Sequence, residues 1–179
     1  ISGAAMMANA TGMELGGKGG TADLLTNIMR TFKLEGQNAA NVVGDQLTKA
    51  AMSSNVSMAD LAESIKYSAA SMVTLRQQLP QVAAMIGTLG NAGIQGSMAG
   101  TSIRNMADYL TQSLTNPNFK GAKALARLGL SKQDFVDANG DLQDFAIILG
   151  KIEEATQGLS TIDQNAVFKS IFSVRGMRA

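Results

Sequence analysis

The chain has 179 residues, 45% of them hydrophobic, a formal net charge of +1, and neither cysteine nor histidine. That length and apolar content suit one sizeable folded domain and not a disordered chain, while the missing residue types exclude disulfides, thiolate zinc sites, cysteine nucleophiles and histidine-based triads or metal sites. Balanced charge without a long Lys/Arg run excludes a broad duplex-binding stripe, so no sequence-specific nucleic-acid binding is expected.

The first segment, ISGAAMMANATGM, begins at Ile1 and carries no charge before Glu14, unlike a secretory leader, and reads as part of a longer polypeptide. It ends in GGKGG, Gly16 to Gly20, a joint that makes residues 1–20 a flexible or partly helical N-terminal segment. Leu24, Leu25, Ile28, Met29 and Phe32 then recur at helical spacing, closed by Arg30, Lys33 and Gly36. A second helix is expected over about Asn38 to Met52, with Val43, Leu47 and Ala51 on one face. Ser57 and Asp60 form an S-x-x-D start with Val56 and Leu61 in the staple positions, ahead of the face Met58, Leu61, Ala62, Ile65, Ala69 and Met72.

Pro80 fits the first turn of the next helix, whose apolar side is Val82, Ile86 and Leu89. Five glycines follow in fourteen positions, Gly87, Gly90, Gly93, Gly96 and Gly100, each costing a helix roughly 1 kcal/mol relative to alanine. A helix from about Ser97 to Leu114 carries Met98, Ile103, Met106 and Leu110, and Asn116-Pro117 opens a short one with Ala124, Leu125 and Leu128. Ser131 and Asp134 repeat the S-x-x-D start, with Leu130 and Phe135 as staple. Asn139-Gly140 is a tight-turn dipeptide that suggests a very short hairpin within residues 135–142. Leu142, Phe145, Ala146, Leu149 and Ile152 line a helix from Leu142 to Thr156, and Ser160 to Asp163 opens the last helix, which carries Val167, Phe168, Ile171 and Phe172. The tail adds Arg175 and Arg178. These elements predict an all-α fold, a compact bundle of about eight short helices with that one tiny β-hairpin. Residues 21–115 form a helical core with a glycine-rich corner, and 116–179 a C-terminal helical subdomain.

No lysine follows the glycines as a P-loop requires, and a Pro-initiated helix precedes them where a dinucleotide fingerprint needs a strand. From Gln77 to Ile103 no residue is charged, and Gly96 and Gly100 match small-xxx-small packing, which raises a membrane reading. Pro80, Asn91 and four glutamines in that run leave it short of the predominantly apolar stretch a span needs. A soluble helix–corner–helix with closely approaching backbones is the favoured reading. An EF-hand loop started at Asp137 would place Leu142 and Ile148 where Gly and Glu belong. Glu153 and Glu154 are helix neighbours about 100° apart and do not flank a bond. No catalytic residue, cofactor or metal site is expected. The eleven methionines suit an adaptable core, with a Met-rich partner surface as the alternative.

TLGNAGIQGSMAGTSIRNM, residues 88–106, resembles a signature of the core region of phage tail tape measure proteins, carried here by Asn91, Ala92, Gly93, Gly96, Ala99, Gly100, Thr101, Arg104 and Asn105. ADLLTNIMRTF, SNVSMADLAESIKY, LARLGLSKQDFVDANGDLQDFAIIL and GLSTIDQNAVFKSIFSVRGMRA resemble further segments of that family, in the same order, over about residues 21–179. The chain departs from the family at Ser68-Ala69-Ala70, where a Gly-Pro pair is common, and from Met72 to Gln81. The resemblance implies a structural role in the virion tail: occupying the tube lumen, setting tail length during assembly in the host cytoplasm, and release at genome ejection. Implied partners are further copies within a longer chain, tail tube and tail-tip or baseplate proteins, and tail assembly chaperones. The host membrane is the partner in the alternative, in which residues 77–103 insert during ejection. One continuous helix of this length would reach about 270 Å, but glycines, prolines and caps punctuate it, so a folded module joined to a ruler is expected.

Overall fold

Local signals start and stop most of the helices. In the computed structural model, which describes residues 2–17, 19–36 and 38–172, the Ser57 hydroxyl accepts the Asp60 N–H at 3.1 Å and opens α4, Met58–Thr74. A side-chain oxygen there satisfies one of the amides a helix start leaves unpaired. The other helices are α1 (Ser2–Thr11), α2 (Thr21–Thr31), α3 (Ala39–Met52), α5 (Leu79–Asn91), α6 (Gly96–Thr115), α7 (Lys120–Arg127), α8 (Phe145–Thr156) and α9 (Thr161–Phe172). The described residues are thus all-α, as the periodicity predicts. Arg175 and Arg178 of the tail lie outside them.

α4 is the centre. It packs against α2, α3, α5 and most extensively α6, while α1 lies on α2 and α3, and α7 and α9 close the far end of α6. Its Leu61, Ile65, Ala69 and Met72 are buried at steps of four, four and three residues beside Val43, Leu47, Val82 and Ile86 of α3 and α5. Each large aliphatic side chain buried this way contributes about 1.5–3 kcal/mol. The GGKGG joint is followed by α2, and Thr21 donates to the Ala4 carbonyl of α1 at 3.0 Å.

Several expectations shift. Ser131 and Asp134 bracket a single 3-10 turn, Lys132–Asp134, and not an α-helix. The hairpin reduces to one antiparallel bridge, Val136 to Leu142, around a turn in which Asp137 Oδ1 accepts the N–H groups of Asn139 and Asp141. α8 starts at Phe145 and not Leu142, because Asp144 caps it through the Ala146 N–H at 2.8 Å. Three methionines also leave the expected apolar faces: Met6, Met52 and Met98 are exposed, whereas Met7, Met58 and Met72 are buried. No described helix is long and apolar enough to cross a membrane. The uncharged run 77–103 is divided between α5 and α6.

Polar side chains fasten the C-terminal part to the core. Gln77, just after α4, is buried; its Oε1 accepts the Phe145 N–H at 3.0 Å, and its Nε2 donates to the carbonyls of Gln143 at 3.0 Å and Leu75 at 3.2 Å. Gln81 Nε2 reaches Asp144 Oδ2 at 2.8 Å. The Phe145 ring meets Phe172 of α9 at a centroid distance of 6.5 Å, and Lys151 donates to the Asp134 carbonyl and to Gln143 Oε1. Replacing Gln77 with leucine strands a buried N–H and a carbonyl, each worth about 1–3 kcal/mol when orphaned. Gln77→Leu is therefore expected to lose about 2–4 kcal/mol in urea denaturation; a loss below about 0.5 kcal/mol would show that water replaces the tie.

Candidate functional site

The glycine stretch forms a continuous seam against residues 54–68. At the end of α5, a Cβ on Gly87 would lie 3.2 Å from Ser54 Cβ, and one on Gly90 would overlap the Val56 side chain. The corner then takes hold of Asn55 from both sides. Asn91 Oδ1 accepts the Asn55 N–H at 2.8 Å, and Gln95 Nε2 donates to the Asn55 carbonyl. An amide at each end of the turn thus satisfies both backbone groups of one loop residue, as a strand neighbour otherwise would.

The turn itself is a Schellman closure. Ile94 N–H reaches back to the Leu89 carbonyl at 2.9 Å and Gly93 N–H to the Gly90 carbonyl at 3.0 Å, with Gly93 at φ 82° and Ala92 exposed as the last helical-side residue. The left-handed φ is what glycine supplies here at no Cβ cost. Ile94 is buried, which tucks the turn inward.

α6 begins at once and lies on α4. Ser64 Oγ sits 2.8 Å from the Gly96 carbonyl and 2.7 Å from the Asp60 carbonyl, so its single proton is shared between an intrahelical and an interhelical acceptor. Gln95 provides no side-chain cap for α6, but the carboxylates of Asp60 and Glu63 lie beside Gly96, with a Cβ there falling 3.1 Å and 3.0 Å from their oxygens. Negative charge at a helix N-terminus is favourable. One turn later Gly100 meets the α4 backbone: a Cβ would stand 2.8 Å from Tyr67 Cβ and 2.9 Å from Ser64 Cα, and would collide with the Ser64 carbonyl. Ala99, Ser102 and Ile103 are buried around it, and Ser68 donates to that same Ser64 carbonyl at 2.8 Å.

The seam therefore gathers Asn91, Gly93, Gly96, Ala99 and Gly100 of the sequence signature, joined to the Ser57–Asp60 cap whose helix it covers. It leaves Arg104 exposed and Thr101 and Asn105 half-buried. The other caps lie elsewhere. Ser160 accepts the Asp163 N–H at 3.2 Å at the start of α9. Asp134 accepts the Ser131 N–H at 2.7 Å, which with the Ser131 hydroxyl and the Lys151 charge holds its carboxyl below the usual carboxylate range against a smaller opposing effect of desolvation. Asn139 and Gly140 (φ 82°) form the exposed turn. Gln95, Ser64 and Gln77 carry contacts that the sequence reading did not single out. Gln95 lies inside the signature, a signal available in principle. Gln77 bonds to residues 66 and 68 positions away, which no local pattern records.

Among the described residues no group of three His, Cys, Asp or Glu side chains is placed to hold a metal ion, and Glu153 and Glu154 are both exposed. Chemically, the seam is a packing device of backbone, amides and hydroxyls. Gly100→Ala is expected to destabilise by about 1–3 kcal/mol as an overpacked contact. Gly150→Ala, in α8 with nothing within 4 Å of its Cβ position, is expected to stabilise by about 0.5–1 kcal/mol. Equal effects of the two in chemical denaturation would show that helix propensity, not the seam, decides.

A family described as phage-related minor tail protein matches residues 1–173. A tape measure protein of Pneumococcus phage Dp-1 is 31% identical over 162 residues, covering 89% of this chain and 13% of that protein. A probable tape measure protein of Escherichia phage P2 is 30% identical over 156 residues, covering 84% of this chain and 18% of that protein. The chain thus spans less than a fifth of the length of these relatives. No solved structure matches it.

Proposed function

The chain belongs to the phage-related minor tail protein family, in a region shared with tape measure proteins, and from that premise we propose that it is a folded structural module of a tape measure protein, carried in the tail tube lumen and joined to longer segments that set tail length. The observation that carries the reading is the seam. It folds α5 and α6 back along α3 and α4, so the residue count of this part is not converted into axial length at 1.5 Å per residue. The module does no catalysis in this reading. Its neighbours are tail tube and tail-tip or baseplate proteins in the virion, with assembly chaperones in the host cytoplasm beforehand.

Release at genome ejection asks the module to loosen. Its fastenings suit that: glycine, serine and amide contacts along the seam, amide ties at α8, and Arg76–Asp141 at 3.6 Å as the ion pair among the described residues. Such bonds are short-ranged and are exchanged for water once the helices part. Guanidinium unfolding of the chain is expected at a midpoint near or below about 2 M; a midpoint above about 5 M, the hyperstable range, would rule out easy loosening. In a phage carrying the full protein, in-frame deletion of this region is expected to leave tail length unchanged in the tails that form. Shortening by about 270 Å, the length of the same residues as one helix, would make it part of the ruler.

A further inference from the structure

Residues 109–133 hold Lys120, Lys123, Arg127 and Lys132 and no carboxylate, whereas residues 134–163 hold seven carboxylates and Lys151 as their one cation. The cations of the first stretch are three, four and five positions apart, so the sequence shows no basic run. The helix gathers them. At about 100° per residue, Lys120, Lys123 and Arg127 of α7 fall within about 60° of one another, over about 10 Å of its axis. All three are exposed, while Gly121, Ala124 and Leu125 are buried and α7 packs on α6 and α9. Lys132 is exposed in the turn that follows. Lys169 is exposed on α9 beside Ser170, whose carbonyl stands against Gly121. None of these five cations has a carboxylate at ion-pair distance among the described residues, where the ion pair is Arg76–Asp141. Asp134, just past the stretch, turns its carboxylate to the Ser131 N–H at 2.7 Å.

The surroundings of this face separate the anionic partners it could meet. An anionic membrane takes apolar side chains beside the cations, and a protein interface is anchored by buried aromatic or apolar groups. No large hydrophobic side chain is exposed from residue 109 to 133. A single nucleic-acid strand is held by bases stacked on open aromatic rings. The aromatic residues of the stretch, Tyr109 and Phe119, are half-buried and meet each other edge to face at 5.6 Å. Duplex DNA requires none of these, since cations on its phosphates bind it without sequence choice. About 10 Å of one strand carries about three phosphates, at one per 3.4 Å. The α7 face presents three cations over the same length.

We propose that the exposed face of α7, with Lys132 and Lys169 at its margins, is a contact surface for the phosphate backbone of duplex DNA. Lys120, Lys123 and Arg127 follow one strand, and the carboxylates of residues 134–163 repel a duplex from the α8 part of the surface, which orients the chain on it. This goes beyond the structural-module reading and does not depend on it.

Fluorescence anisotropy of a labelled duplex of about 20 base pairs, titrated with the 179-residue chain, tests the contact. Binding is expected at a Kd of about 100 µM or below at about 25 mM salt, and log affinity should fall against log salt with a slope of about −4, as for four or five phosphates. Lys123→Gln should make that slope shallower by about 1. Lys120→Gln, Lys123→Gln and Arg127→Gln together should weaken binding at least about tenfold. The triple Arg30→Gln, Lys49→Gln and Lys66→Gln removes the same charge from exposed positions elsewhere and should bind within about threefold of the parent, because local contacts and not net charge decide. Absence of binding at low salt, equal losses in the two triples, or an unchanged slope in Lys123→Gln would overturn the proposal. So would polyglutamate, single-stranded DNA or anionic vesicles competing as well as unlabelled duplex at equal charge. Failure here leaves the tail-length and guanidinium tests of the module reading untouched.

Discussion

Where Gly100 meets Ser64, the backbones of α6 and α4 touch with no side chain between them. That approach sets the position of α6, the longest described helix at 20 residues and about 30 Å. Everything at its far end follows from it. Leu110 is buried there, and Ser113 stands against the α9 backbone, 3.4 Å from the Ile171 carbonyl. Gly121 of α7 has room only for a hydrogen, since a Cβ would collide with Ser113 and lie 3.0 Å from the Ser170 carbonyl. A larger residue at position 100 would lift α6 and move α7 and α9 with it, because a helix transmits a displacement along its length and a close-packed interior leaves little slack.

The same constraint explains the chemistry of the seam. Helices this close leave no space for ion pairs or long side chains, so the bonds that cross it come from groups that fit: the Ser64 hydroxyl, the Asn91 and Gln95 amides, and bare carbonyls. The glycine, alanine and serine contacts lose little side-chain entropy when they form, whereas ordering the Gln95 amide costs more. They are also neutral, which makes them nearly indifferent to ionic strength, in contrast to the exposed Arg76–Asp141 pair, whose effect salt screens. Stability thus rests on fit across one surface. Fit of this kind is lost all at once when the surfaces separate.

What the sequence disclosed is what is encoded locally. Helix faces, the Ser57 and Ser160 caps and the Asn139-Gly140 turn rest on spacings of two to four residues, and the structure places them where those spacings put them. The glycines read as a corner, and Gly93 and Gly96, at φ 82° and 55°, make the bend. Gly87, Gly90 and Gly100 serve close approach, and their partners at 54–67 lie some thirty to forty positions away, beyond any periodic pattern. Asn55 shows the limit best. As an exposed polar residue after Ser53 and Ser54 it looks like a free loop, and its role appears only when Asn91 and Gln95 arrive from α5 and the corner. Met98 erred the other way. Its spacing suits the α6 face, but the tight contact on α4 rotates that face toward small residues, and Met98 is left 64% exposed.

Native-state hydrogen exchange at the Asn55 amide reads the seam most directly. An exposed loop amide ordinarily exchanges by local fluctuation, but this one is bonded to Asn91 across the corner. Its exchange should be slowed to a protection comparable with that of the α4 amides, and in Gly100→Val the protection of Asn55 and of α6 should fall together. Exchange of Asn55 at the rate of an open loop in the unmodified chain, or protection that survives Gly100→Val intact, would contradict a seam that closes these helices as one unit.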